Sequence, residues 1–133
     1  MVLVDANVLL DILTGDPVWY EWSAQKLELA MHEGTAINPV IYAELSAGFR
    51  NQEELDAALD LSDLQRLPLP YDAAFRAGHA FVEYRRNGGN RRSPLPDFFI
   101  GAHAEVEGLT LLTRDLVRYR TYFPKLKLIA PSS

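Results

Sequence analysis

The stretch "MVLVDANVLLD" (residues 1–11) joins an apolar run to an aspartate and then to a second apolar run. The segment from Met1 to Val4 is short, apolar and β-branched, which is typical of a strand buried on both faces of a sheet. Asp5 follows it directly, and Asn7 comes two residues later. An aspartate here can cap the next helix or provide one ligand of a metal site, and this stretch alone leaves both open.

Predicted strands and helices alternate along the rest of the chain. Besides a strand at 1–5, short apolar or β-branched runs predict strands at 35–38, 109–113 and 126–130. Apolar periodicity and capping residues predict a short helix ending near Leu13 and helices over about 18–32, 39–49, 52–60, 72–86, 96–107 and 115–122. We therefore expect residues 1–133 to form one α/β domain, a three-layer α/β/α sandwich with a central parallel sheet. Binding sites of such sheets form beyond the carboxyl ends of the strands.

The composition limits the chemistry. The chain of 133 residues is 48% hydrophobic and 23% charged, the balance of one globular domain with a single core. It has no cysteine, which excludes disulfides and thiolates and restricts any metal ligands to oxygen and nitrogen. No apolar run is long enough to span a membrane and the first residues lack the basic flank of a signal peptide, so we expect a cytoplasmic protein without membrane contact.

Four carboxylates are candidates for the edge of the sheet beyond the carboxyl ends of its strands. Asp5 and Asp115 each follow a predicted strand, Glu44 falls inside the apolar face of "PVIYAELSAGF", and Asp97 lies in the first turn of an apolar helix. Each has a simpler interpretation: a helix cap for Asp5 and Asp115, a first-turn acid for Asp97, and for Glu44 an arginine ion pair or a different helix register. Together they would repel one another unless a cation or shared protons held them. Oxygen ligands favour Mg²⁺ or Mn²⁺, and such ions support phosphodiester hydrolysis.

Four segments resemble the acidic blocks of the PIN-domain ribonucleases, and more narrowly of VapC-type toxins. They are "VLVDANVLLDIL", "PVIYAELSAGF", "PDFFIGAHA" and "LLTRD", in the family's order. The resemblance implies a metal-dependent endoribonuclease that inhibits translation as the toxin of a toxin–antitoxin pair. It assigns the acidic quartet to Asp5, Glu44, Asp97 and Asp115, with Mg²⁺ or Mn²⁺ as cofactor. Asp5 and Asp97 would be the best candidates for direct contact with the ion, and Glu44 and Asp115 would act through water or only once substrate brings a second ion.

The same resemblance implies supporting residues and partners. Asn7 and Thr113 match the polar residues that orient the ligands. The implied partners are a small VapB-like antitoxin, an RNA substrate that includes tRNA among its candidates, and a second copy in a homodimer. DNA would be contacted only through the antitoxin.

A basic segment, "RRNGGNRR" (residues 85–92), precedes Asp97 in sequence. Residues 1–63 carry a net charge of −10 and the remainder of the chain a net of +5, so the bases concentrate in the second half. Arginines beside an acidic metal site could hold RNA phosphates, whereas the alternative is a solvated helix end. The candidate RNA-binding residues are Arg85, Arg86, Arg91, Arg92 and Arg114, with Arg118 a further, weaker candidate.

Other interpretations fit less well. A dinucleotide-binding fold needs a glycine-rich turn after the first strand, and "DANVLL" has none. A haloacid-dehalogenase-type phosphatase would have a second aspartate where Asn7 stands, and a receiver domain an acidic pair after the first strand. Two alternatives stay open: a PIN-type nuclease of RNA processing, and a non-catalytic interaction module on the same fold. We also expect Gly101 and Ala104, on the side of Asp97, to let another backbone approach that helix.

Overall fold

The computed structural model describes residues 1–89 and 95–131. Their elements, in chain order, are β1 (Val2–Val4), α1 (Ala6–Thr14), α2 (Tyr20–Met31), β2 (Thr35–Ile37), α3 (Pro39–Ser46), α4 (Gln52–Asp60), β3 (Gln65–Arg66), α5 (Tyr71–Arg86), α6 (Leu95–Glu107), β4 (Thr110–Leu112), α7 (Leu116–Tyr122) and β5 (Lys127–Ile129). The predicted strands and helices are all present, and β3 is a short additional strand that was not predicted; it ends at the first residue of "RLPLP" (residues 66–70), a stretch that the sequence indicates only as extended. Helix α3 ends earlier than predicted, because a tighter turn from Leu45 O to Gly48 N closes it at 3.1 Å.

The five strands form one parallel sheet in the order β3-β2-β1-β4-β5. Strand β1 lies at its centre and is fully buried, as the apolar start of the chain predicted. From β1 the chain moves through β2 to β3, and it then returns to β4 on the other side of β1. The right-handed preference of such crossovers places the helices of the two halves on opposite faces, which gives the expected three layers. The order of the strands therefore reverses between β1 and β4.

An aromatic cluster packs helix α6 against the chain that follows β4. Phe98 contacts Phe123 with ring centroids 6.2 Å apart, and both are fully buried, as is Tyr119. Gly101 of α6 faces these rings: a Cβ atom there would lie 2.6 Å from Phe123 Cδ2 and 3.1 Å from Tyr119 Cδ1. The sequence led us to expect an approaching backbone at Gly101. The space is instead filled by two aromatic side chains.

Across residues 1–89 and 95–131, no helix combines the length and the hydrophobicity that crossing a bilayer requires.

Candidate active site

The candidate site lies where the strand order reverses. Asp5 immediately follows β1, and its backbone N–H donates to Leu112 O at the end of the neighbouring β4, at 2.9 Å. Thr113 therefore leaves β4 beside Asp5. This is the position at which parallel α/β sheets open a crevice beyond the carboxyl ends of their strands.

Asp5 uses its two oxygens for different purposes. Oδ1 accepts a hydrogen bond from Ala6 N at 2.8 Å and so caps α1, as the simpler interpretation required. Oδ2 accepts from Thr113 Oγ1 at 2.8 Å and from the Tyr119 hydroxyl at 3.1 Å, on the other side of the carboxylate. Burial raises the pKa of Asp5 to about 6, against the partial opposition of these hydrogen bonds. A capping role and a role in the site are thus compatible.

Asn7 and Thr113 hold the backbone and side chains around Asp5. Asn7 Nδ2 lies 3.4 Å from Thr113 Oγ1 and 3.5 Å from Asp5 Oδ2, at the long limit of hydrogen bonding. Asn7 Oδ1 accepts from Arg114 N at 3.2 Å, and Thr113 Oγ1 accepts from Asp115 N at 3.0 Å. These contacts tie the first turn of α1 to the segment after β4. They make Asn7 and Thr113 suitable orienting residues for Asp5, which is the role that the resemblance implied.

Glu44 carries an unsatisfied buried oxygen. The residue is half-buried on α3, and its Oε1 has no hydrogen-bond partner among the residues that the structure describes. No arginine there pairs with it, which leaves the ion-pair interpretation without support in that part of the chain. Burial, followed by the charges of Asp5 and Asp97, raises the pKa of Glu44 to about 7. A buried carboxylate oxygen without a donor is a strong reason to expect a proton or a cation beside it.

Asp97 and Asp115 share one arginine. Asp97 Oδ2 accepts a hydrogen bond from Arg118 Nη1, and Arg118 Nη1 also lies 3.2 Å from Asp115 Oδ2. Asp115 caps α7 as well, accepting from Arg118 N at 3.3 Å, so its simpler interpretation also holds. Burial raises the pKa of Asp97, and the hydrogen bond from Arg118 opposes that rise.

The Tyr119 hydroxyl joins the two halves of the site. It lies 3.1 Å from Asp5 Oδ2 and 3.4 Å from Asp97 Oδ1, so its proton can serve either carboxylate. The side chain is fully buried against Gly101, and burial raises its pKa well above the ordinary value. We did not predict this residue. Its only sequence signal is a tyrosine four positions after Asp115, which is indistinguishable from a core aromatic.

The four carboxylates lie in one region, but they do not converge on a single point. In residues 1–89 and 95–131, no three acidic or histidine side chains come close enough to ligate one ion as they stand. Arg118 already pairs with two of the four carboxylates, Asp97 and Asp115. Glu44 Oε1, which has no partner among the described residues, and the buried Asp5 nevertheless suit a small hard cation, which would neutralise their charges. The residues present therefore fit Mg²⁺ or Mn²⁺.

The predicted RNA-binding arginines divide into three groups. Arg85 and Arg86 are exposed in the last turn of α5. Arg91 and Arg92 lie outside the described residues. Arg114 is engaged elsewhere, because its Nη2 donates to the buried Asp11 at 2.9 Å and its guanidinium lies over the Trp19 ring. That engagement leaves Arg114 a poor candidate for RNA contact, and its prediction stays untested.

A Glu44→Gln substitution should stabilise the metal-free protein in a pH-dependent way. The folded pKa of about 7 is raised above the ordinary 4.5, so folding favours the protonated form of Glu44. The cost of ionising Glu44 is absent below pH 4.5, grows as the pH rises from 4.5 to 7, and is constant above. With a discount for partial exposure, we expect the Gln variant to be more stable than wild type by about 1–2 kcal/mol at pH 8.

Urea unfolding in EDTA across this pH range measures the difference. Glu53→Gln on the exposed side of α4 is the matched control and should stay within about 0.5 kcal/mol of wild type. Excess Mn²⁺ should remove the advantage of the Gln variant, because only wild type keeps the full set of ligands. A constant difference at every pH would contradict the assignment.

Comparisons with other proteins agree with this architecture. The sequence profile of the PIN domain matches residues 2–124. The structure is similar to that of VapBC2 from Rickettsia felis bound to a promoter DNA fragment, with a TM-score of 0.75, 24% identity, and 99% of this chain and 100% of that chain covered. It is also similar to FitAcB from Neisseria gonorrhoeae (TM-score 0.71, 21% identity, 97% and 96% covered) and to VapBC-1 from nontypeable Haemophilus influenzae (0.72, 17%, 98% and 98%). A search of curated protein sequences finds no match. Because the profile spans nearly the whole chain, the chain belongs to the PIN domain family.

Proposed function

We propose that this protein is a Mg²⁺- or Mn²⁺-dependent endoribonuclease that acts as the toxin of a toxin–antitoxin pair. The observation that carries the proposal is the pairing of Asp5 and Asp97 through Tyr119, together with a buried Glu44 oxygen that has no partner among residues 1–89 and 95–131. Membership in the PIN family adds to it, because PIN domains are in general nucleases. Asp5, Glu44, Asp97 and Asp115 are the proposed catalytic and metal-binding residues.

The side chains divide the work among binding, orientation and charge. Asp5 and Asp97 would hold the ion, with Glu44 and Asp115 completing the acidic set directly or through water. A bound Mg²⁺ or Mn²⁺ supplies the Lewis acidity that activates water and stabilises charge on the scissile phosphate. Thr113 keeps Asp5 Oδ2 oriented through its hydroxyl hydrogen bond. Burial keeps bulk water away from Asp5, so the attraction between its charge and a cation is weakly screened.

The RNA would approach from the exposed edge of the site. Arg85 and Arg86 end α5, and the basic segment that they begin leads along the chain to Asp97 in α6. Arginines there would bind phosphates through charge, independently of base sequence. Arg91 and Arg92 remain part of the proposed RNA-binding set on sequence alone.

The partners follow by analogy with similar structures. Three similar structures are of VapBC systems, and a fourth is a toxin–antitoxin complex from Klebsiella pneumoniae, 23% identical to this chain. We extend this to a VapB-like antitoxin that covers the site, a homodimer, and indirect contact with DNA through the antitoxin. A cytoplasmic location, inhibition of translation and tRNA as a candidate substrate belong to the same proposal.

Metal-dependent cleavage of RNA is the primary test. The purified, antitoxin-free protein should cleave a structured RNA such as a tRNA in the presence of Mg²⁺ or Mn²⁺ and leave it intact in EDTA. Restoring the ion should restore cleavage at the same positions, as read on a denaturing gel. Cleavage by this protein that persists in EDTA would exclude the metal mechanism, whereas the same EDTA-resistant cleavage in an Asp5→Asn preparation would mark a contaminating nuclease.

Two alternatives are separated by further readouts. A PIN nuclease of RNA processing would cleave RNA without arresting growth when expressed alone. A non-catalytic interaction module would neither cleave RNA nor depend on Asp5 for its effect. The buried Glu44 Oε1, which has no partner among the described residues, favours the catalytic proposals, because a scaffold gains nothing from the cost of burying a carboxylate oxygen without a donor.

A further inference from the structure

Arg118 stands at the outer side of the acidic site. Its Nη1 contacts Asp97 Oδ2 and lies 3.2 Å from Asp115 Oδ2, so one guanidinium bridges two of the four proposed metal-binding residues. Asp97 lies in helix α6 and Arg118 in helix α7, and the two helices also meet through the Phe98–Tyr122 ring contact and the Tyr119 hydroxyl beside Asp97. The positive charge of a guanidinium between two carboxylates offsets their negative charges, as a metal cation would.

The backbone around Arg118 is fixed, whereas its side chain has an open path. Its N–H donates to Asp115 Oδ1 at 3.3 Å, and the next residue, Tyr119, is fully buried beneath the site. The Arg118 side chain is 42% exposed, so it can turn into solvent without disturbing the core. An exposed ion pair of this kind is weak and readily exchanged.

Arg118 does not pair with the buried Glu44 Oε1. Glu44 Oε1 has no partner in the described part of the chain, although Arg118 is already paired with Asp97 and Asp115. A small ion could reach the inner oxygens, which a branched guanidinium on the outer side does not contact. The ion and the guanidinium would compete for Asp97, because both are cations and one of its oxygens already accepts from Arg118.

We infer that Arg118 is a built-in competitor of the metal ion: it holds Asp97 and Asp115 in the metal-free protein and must leave them when the ion binds. The inference rests on the proposed function, since it regulates the same metal site. It gives Arg118 a role distinct from RNA contact. The cost of displacing the guanidinium lowers the affinity of the free protein for its metal, so the acidic site stays assembled but latent at low metal concentration.

Calorimetric titration of Mn²⁺ into metal-stripped protein at low ionic strength tests the inference. Arg118→Gln should bind Mn²⁺ about five- to tenfold more tightly than wild type, because the competing charge is gone. Arg118→Lys keeps a cation on the same stem and should stay within about twofold of wild type. The matched control is Arg120→Gln on the same helix, which removes the same net charge from an exposed position and should also stay within about twofold.

The outcomes separate this inference from the proposed function. Equal or weaker Mn²⁺ binding by Arg118→Gln, or the same gain in Arg120→Gln, would overturn the inference even if wild type cleaves RNA. If neither wild type nor any variant binds Mn²⁺, both the inference and the proposed metal mechanism fail. Thermal melts followed by circular dichroism confirm that every variant compared is folded.

Discussion

Asp5→Asn should reduce the rate of metal-dependent RNA cleavage by about a thousandfold or more while the protein stays folded. The substitution removes the most buried charge of the acidic site, and a ligand lost from a catalytic metal costs several kcal/mol of transition-state stabilisation. The asparagine oxygen can still accept from Ala6 N and cap α1. The hydroxyls of Thr113 and Tyr119 can rotate to accept from its amide.

The Asp5→Asn variant should also be at least as stable as wild type. Burial raises the pKa of Asp5 to about 6, so at neutral pH wild type carries the cost of an ionised buried carboxylate. The variant should therefore unfold in EDTA at the same or a higher urea concentration than wild type. Loss of activity together with unchanged or increased stability distinguishes a functional residue from a structural one.

Asp16→Asn is the matched control, because Asp16 is an aspartate with a purely local hydrogen-bonding role. Its Oδ1 accepts from Val18 N and Trp19 N, both at 2.9 Å, just before α2. Asparagine serves equally well in such a position, so this variant should keep wild-type cleavage. Expression of wild type and of Asp16→Asn should arrest bacterial growth, whereas Asp5→Asn should not. Full cleavage by Asp5→Asn would remove Asp5 from the catalytic set.

The sequence predicted the architecture well because the signals that determine it are local. The apolar start of β1, the Asn38 cap followed by a first-turn proline in α3, and the alternation of strands and helices all depend on neighbouring residues. A parallel sheet then predicts that residues following its strands, such as Asp5 and Thr113, lie at one edge of the sheet. Only the structure shows that β1 and β4 are neighbours, which brings Asp5 and Thr113 side by side.

The sequence could not reveal which contacts position the carboxylates of the site relative to one another. Tyr119 bridges Asp5 and Asp97 over more than twenty residues of sequence, and Arg118 reaches Asp97 in the same way. Both contacts depend on the docking of α7 against α6, which no local pattern specifies. The surroundings of Glu44 were also beyond the sequence. Helical periodicity placed Glu44 within an apolar face, but only tertiary packing leaves its Oε1 without a partner among the described residues.

Gly101→Ala should destabilise the protein by about 2–3 kcal/mol and impair the site more than that loss alone predicts. The new Cβ would lie 2.6 Å from two carbons of the Phe123 ring, closer than Cβ atoms come in real structures, and 3.1 Å from Tyr119 Cδ1, which is tighter than most such contacts. Both rings are buried in a packed core and cannot move freely, so overpacking outweighs the helix propensity gained from alanine. Displacing Tyr119 also moves the hydroxyl that joins Asp5 and Asp97.

Gly78→Ala provides the control, because Gly78 also lies inside a helix but a Cβ there would meet nothing within 4 Å. That variant should gain about 0.5–1 kcal/mol from propensity alone, so urea midpoints of the two alanine variants should move in opposite directions. Cleavage is then compared at a temperature at which both variants are fully folded. A lower rate for Gly101→Ala under those conditions would show that the packing of α6 against Tyr119 controls the geometry of the acidic site. Equal rates would mean that the site tolerates a shift of the Tyr119 hydroxyl. The packing of the aromatic cluster would then not control the cleavage rate.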